Sequence, residues 1–131
     1  MTEDTTINPS LKAIRLYNNN EIDCAFEYGT IPAQVKIDVS YFFGQTKIDP
    51  YQQVAHPAPR RQFVITLKGK LRFKVTDGST FVLEPGIILI AEDTMGPGHI
   101  WEIIEGDQWE RLYIPLDTEN DHHFIKNTSV Y

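Results

Sequence analysis

The chain has 131 residues, 41% of them hydrophobic, and its 18 acidic and 12 basic side chains give a formal charge of −6. That is enough apolar material for one domain with a real core, and too much for wholesale disorder. The densest cationic cluster is Arg60-Arg61 and the longest apolar run is Ile87 to Ala91, so neither nucleic acid nor membrane is an expected partner.

The N-terminal MTEDTTINPS is polar and acidic, without the basic and apolar segments of a secretory signal, and Cys24 has no second cysteine to pair with. The expected location is the cytoplasm. Residues 1–10 are expected to be peripheral. Beyond them, short apolar or alternating runs recur between turn residues, with no repeat, linker or long helical periodicity, which is the pattern of an all-β sandwich or barrel. The first predicted strands are Leu11–Tyr17, Ile22–Glu27 and Val35–Phe43; in the third, Tyr41 shares parity with Val39 and Phe43. Gln62–Lys68 and Leu71–Thr76 flank Gly69-Lys70, read as a two-residue hairpin turn, and Asp77-Gly78 signals another before Thr80–Leu83. Pro85-Gly86 suits the centre of a type II turn leading into Ile87–Ala91. His99–Ile104 and Trp109–Pro115 follow, separated by Gly106-Asp107, read as a further hairpin. Residues 117–131 are polar again, and His122-His123 within them read as solvated.

The Gly69-Lys70 turn sets a register: Lys68 opposite Leu71, Thr66 opposite Phe73, Val64 opposite Val75. Arg72 and Lys74 alternate with Leu71, Phe73 and Val75, so the apolar side of the second strand faces inward. Cross-strand partners share a face, which turns Thr66, Val64 and Gln62 inward too. The opposite face of the first strand, Phe63, Ile65 and Leu67, is also apolar. It needs a cover: a second sheet, an N-terminal strand or another subunit, and the last of these makes a homodimer an expected assembly.

The segment HPAPRRQFVITLKGK (56–70) together with EPGIILIAEDTMGPGH (84–99) resembles the cupin superfamily. Cupin motif 1 is commonly written G-x5-H-x-H-x3,4-E-x6-G. Counting back from Gly69, Gln62 falls at its glutamate, His56 at its first histidine and Ala58 at its second. Gly96-Pro97-Gly98-His99 resembles the end of motif 2, with His99 at the ligand histidine. The resemblance covers roughly residues 35–116 and implies a single domain over 1–131, an antiparallel jelly-roll β-barrel, often homodimeric, with a site inside. It also implies a divalent metal (Fe, Mn, Ni or Zn) held by His56, Gln62 and His99. Ala58 removes one imidazole and Gln62 replaces a carboxylate with a neutral amide, so affinity for such an ion falls.

The remaining candidates follow from parity. Arg60 lies on the side of Gln62 and can clamp a carboxylate or phosphate, or form a salt bridge to Glu92 or Asp93. Glu92 and Asp93 can supply a base or ligand, but as loop acids they read as solvated. Trp101 shares a face with His99 and Ile103, as an apolar wall over a ligand or as core. Tyr41, with a hydroxyl that needs a partner if buried, is a candidate acid or base beside His99. The function expected is a small-molecule enzyme acting on a small polar or anionic substrate, with a weakly held metal or none. The alternative is a non-catalytic ligand-binding or sensor domain. The fold alone does not select the chemistry.

Overall fold

Apolar runs cut by Gly, Pro and Asp-Gly turns form eight strands in the computed structural model, which describes residues 9–117 and 121–127. They are β1 (Ser10–Asn19), β2 (Asp23–Pro32), β3 (Phe43–Gln45), β4 (Gln62–Lys74), β5 (Thr80–Leu83), β6 (Ile87–Ala91), β7 (Ile100–Pro115) and β8 (Ile125–Lys126). One turn of 3-10 helix, Pro50–Gln53, lies between β3 and β4. The rest of the ends expected to be peripheral lies outside the described residues. No helix among the described residues is long and apolar enough to cross a membrane.

The strands form one mixed sheet in the order β3-β7-β4-β6-β1-β2-β8, with β5 also paired to β4. The all-β expectation holds, but the pairing is not wholly antiparallel. β1 and β6 run parallel, from Lys12 opposite Ile87 to Leu16 opposite Ala91. Most of the chain lies between these two strands, ample length for the crossover that parallel pairing requires.

Three predicted features are corrected. Val35–Phe43 is not a strand: only Phe43–Gln45 joins the sheet, against Tyr113–Arg111 of β7. Val35 and Ile37 use their apolar side chains as a cover and make no ladder. Neither Gly69-Lys70 nor Gly106-Asp107 is a hairpin. The two predicted strands around each fuse, giving long β4 and β7, which pair with one another from Gln62–Pro115 to Lys74–Ile100 with register shifts between Thr66 and Leu71. Gly69 sits in that irregularity at φ +121°, where a Cβ would lie 2.6 Å from the Gln108 carbonyl oxygen. Glycine here marks a bulge and a close backbone approach, not a chain reversal. The Asp77-Gly78 turn does form, closed by Val75 N–H to Ser79 O at 3.0 Å.

Alternation along β4 buries its two sides against different partners. Val64, Leu71 and Phe73 join Ile14, Leu16, Cys24, Phe81, Leu83, Leu89, Trp109 and Tyr113 in the larger core. Phe63 and Ile65 join Ala13, Ile31, Ile90 and Leu116 in a second cluster, capped by Val35, Ile37 and Phe124. Segments of the chain itself therefore cover the face for which another subunit was one expected cover, although Leu67 remains exposed. The sheet also curls strongly. Phe26 of β2 and Phe81 of β5 are four steps apart in strand order, about 19 Å in a flat sheet. Their ring centroids are 4.8 Å apart. Hydrogen bonds from Cys24 N–H to the Thr76 side-chain Oγ1 (2.8 Å) and from Thr76 N–H to Cys24 O (3.2 Å) stitch the same seam.

Candidate functional site

A cavity of about 210 Å³ opens at one end of the larger core. Its lining includes His56, Arg60, Gln62, His99 and Trp101, five of the six predicted site residues. Tyr41 is the exception. It is 55% exposed and stacks on Phe43 with ring centroids 6.2 Å apart, outside the cavity. With its segment out of the sheet, strand parity no longer turns Tyr41 inward, and the expectation that it lines the cavity is corrected.

His56 and His99 meet as an isolated antiparallel bridge. His56 N–H donates to His99 O at 2.9 Å and His99 N–H to His56 O at 3.0 Å, which brings their ring centroids to 4.7 Å. Gly98, at φ +74°, makes that approach possible, since a Cβ there would collide with the His56 carbonyl. His56 Nδ1 lies 2.9 Å from the Val54 carbonyl oxygen, to which it donates. Burial lowers the His56 pKa more than its Val54 hydrogen bond raises it, and His99 lowers it further. The ring is neutral at neutral pH.

His99 is 6% exposed, and its Nδ1 lies 2.6 Å from Oδ2 of Asp93, which is wholly buried. Cys24 Sγ donates to the same oxygen at 3.3 Å, while Asp93 Oδ1 is buried without a partner among the described residues. Burial, and then the Asp93 charge, push the Cys24 thiol well above its usual range, so it is a neutral donor and not a nucleophile. By residue type Asp93 reads as a solvated loop acid, yet it is buried. The signal that locates it is parity: Leu89 and Ala91 face the larger core, so two residues beyond the strand end Asp93 faces inward as well. Glu92 then faces out, where it accepts from Arg15 Nε and Arg61 Nε, both at 2.6 Å, and pairs with His122 Nε2 at 3.2 Å. His122 is thus half-buried and in contact with Glu92, not solvated, and the salt bridge considered for Arg60 is made by Arg61.

Arg60 instead donates from one terminal nitrogen to Gln62 Oε1 at 2.9 Å and lies over the Phe43 ring. This contact bears on the expected metal set. Gln62 offers its only anion-like atom to a guanidinium, which makes His56, Gln62 and His99 a poor cage for a cation. Among the described residues, the group that could hold a metal ion is Cys24, Asp93 and His99, whose donor atoms lie within 4.8 Å of one another. Its chemistry suits a zinc-like ion, around which the ligand atoms would have to spread to the ~3.4 Å of a tetrahedral site. The 2.6 Å between His99 Nδ1 and Asp93 Oδ2 is a hydrogen-bond distance.

The opposite wall was not read from the sequence as polar. Arg111, 1% exposed, donates from Nε to Tyr113 Oη (2.9 Å) and from its two terminal nitrogens to Trp109 O (2.8 Å) and Gln52 Oε1 (3.1 Å). Its guanidinium stacks on Trp109 at 4.4 Å. The alternation Trp109, Arg111, Tyr113 on one inward side of β7 is the signal that was available. A buried guanidinium with only neutral partners among the described residues carries a desolvation cost on the order of several kcal/mol. Comparison with protein-family models, curated proteins and solved structures finds no match for this chain.

Proposed function

We propose that the chain is a cupin-like jelly-roll barrel whose cavity is a small-molecule enzyme site, with His99 as general base toward a carbon acid. The strong curl of the sheet and its stitched seam support the barrel. One observation carries the chemistry: the buried 2.6 Å contact between Asp93 and His99 Nδ1, with Nε2 bonded to no described residue and His99 on the cavity wall. Asp93 holds the Nδ1–H tautomer, which leaves the Nε2 lone pair for a substrate proton. As His99 takes that proton it becomes imidazolium, and the buried carboxylate stabilises the new charge without reorganising. Cys24 contributes a neutral hydrogen bond to the same carboxylate and orients it. The reaction class is proton abstraction beside a carbonyl, as in an isomerase or epimerase, and the aromatic wall of Trp101 and Trp109 keeps water from the carbanion.

The test is solvent exchange at the acidic carbon. Pyruvate, 2-oxobutyrate and other small oxo compounds in D2O are followed by proton NMR with the purified chain. Exchange above the buffer rate is expected for at least one, falling by about 10²–10⁴-fold in His99→Gln, with a large fall also in Asp93→Asn. No catalysed exchange across the panel, or exchange that survives in His99→Gln, overturns the proposal.

A further inference from the structure

We propose that Tyr113, held by Arg111 and Gln52, is the anion-recognition element of this cavity, and that its occupant is a small organic monocarboxylate. The proposal deepens the acid–base reading by naming its substrate class; it rests on that reading for the chemistry but not for the binding.

Tyr113 Oη receives two hydrogen bonds, from Arg111 Nε at 2.9 Å and Gln52 Nε2 at 3.0 Å. The Gln52 amide cannot be turned round, because its Oε1 already accepts from Arg111 (3.1 Å) and from the Asp49 N–H (2.9 Å). A phenol oxygen accepts two hydrogen bonds and donates one. With both acceptor positions filled, the O–H proton must point out of the network, and no described residue receives it. Tyr113 is 7% exposed and lines the cavity, so that proton is presented to the occupant.

Charge points the same way. Arg111 has no acid within ion-pairing distance among the described residues, and its field reaches the cavity through Tyr113, Gln52 and Trp109, all of which line it. Arg60 adds a second cation at the rim, where its charge and that of Arg111 both act on Tyr51. Two carboxylates oppose them. Asp93 stands behind His99 and off the cavity surface. Asp49 lines the cavity and accepts from Gln45 Nε2 at 3.2 Å. That acid limits the occupant to a single negative charge, which favours a carboxylate over a phosphate dianion. The cavity is therefore polarised, with a cationic, donating side at Tyr113 and a basic side at His99. A carboxylate on the first side directs the adjacent carbon toward the second, and Phe43, Trp101 and Trp109 suit an apolar body.

The test is calorimetric titration of the full chain with pyruvate, benzoate, benzamide as the neutral counterpart of benzoate, and inorganic phosphate at pH 7.5. At least one carboxylate is expected to bind, with benzamide and phosphate weaker by about tenfold or more. Tyr113→Phe weakens carboxylate binding to a similar extent and leaves benzamide unchanged. Because Tyr113→Phe also strips partners from Arg111 and Gln52, its fold is checked by thermal melting. Arg60→Gln, at an exposed rim position, supplies an independent variant expected to lose carboxylate affinity with unchanged melting. His99→Gln retains carboxylate binding. Carboxylate binding without catalysed exchange overturns the base assignment alone. Exchange on neutral carbonyl compounds without carboxylate preference overturns the present proposal alone. Equal affinity for benzamide or phosphate, or no effect of Arg60→Gln, also overturns it.

Discussion

Replacing Glu92 with Gln tests the outer ionic hub against a definite pH signature. Glu92 is 11% exposed, and its carboxylate meets Arg15, Arg61 and His122 at 2.6, 2.6 and 3.2 Å. Burial pushes its pKa up, but hydrogen bonds from His122, Arg15 and Arg61 outweigh that and hold it at about 2, against an ordinary 4.5. A carboxyl group whose pKa is lower folded than unfolded contributes stability that is present in full above the unfolded value. That contribution is lost as pH falls through the folded value, here between 4.5 and about 2. That fall corresponds to about 3 kcal/mol. Arg15 and Arg61 are 30% and 24% exposed, so solvent screening reduces this to about 2 kcal/mol. Glu92→Gln keeps the shape and loses the charge. At pH 7 it should unfold at lower urea concentration by the equivalent of about 2 kcal/mol with unchanged m-value, and melt about 6 °C lower. Tryptophan fluorescence in urea at pH 7, 5, 4 and 3 follows the difference, which should shrink steadily below pH 4.5. A deficit as large at pH 3 as at pH 7 refutes the reasoning.

Two further substitutions separate the parts of the site. Gly98→Ala places a methyl against the His56 carbonyl at a backbone angle L-residues rarely adopt, so it should cost about 2 kcal/mol or more in urea unfolding and shift the His56 and His99 ring resonances together. Unchanged stability and unchanged resonances would show that the loop does not depend on this contact. Tyr41→Ala removes an exposed ring outside the cavity; stability should change by less than about 0.5 kcal/mol and carboxylate affinity not at all. A clear affinity loss in the same titration would return Tyr41 to the site.

What the sequence revealed and what it hid have separate physical causes. The all-β character, the Asp77-Gly78 turn and the inward face of Gln62, Val64 and Thr66 were readable because period-2 alternation survives most errors of connection. The Gly69-Lys70 register was wrong, yet it sent the same residues inward, since Leu71 and Phe73 face the larger core whether they pair with β4 itself or with β7. A glycine before a lysine does not distinguish a chain reversal from a bulge. What decides is the partner strand, more than thirty residues away. Val35–Phe43 failed for a related reason: apolar alternation reports burial, and Val35 and Ile37 are buried as a cap, not as a ladder. His56, Gln62 and His99 were legible through motif spacing, and Arg60 and Trp101 through strand parity with Gln62 and His99. Asp93 reads as solvated because it is a loop acid, and Arg111 went unread because parity was not followed along Trp109–Pro115, although the parity of both points inward.

That parity also links the two polar systems of the molecule. Glu92 and Asp93 are adjacent, and the extended backbone sends one outward to the arginines and the other inward to His99. The backbone is fixed at this step, with Glu92 N–H bonded to Leu16 O and Ala58 N–H to Asp93 O, both at 2.9 Å. A side chain held at the outer face by Arg15, Arg61 and His122 therefore restrains the peptide from which the Asp93 carboxylate projects. Reorientation of Asp93 requires either breaking that hub or rotating a buried carboxylate away from two donors. Neither is easy, and such a restraint on the His99 ring is what the proposed general base requires. The Gly96-Pro97-Gly98 loop completes the restraint by returning the chain from Asp93 to His99 within six residues, close enough for the two side chains to meet. The ionic hub on the outside is in this sense part of the site on the inside, although none of its arginines lines the cavity.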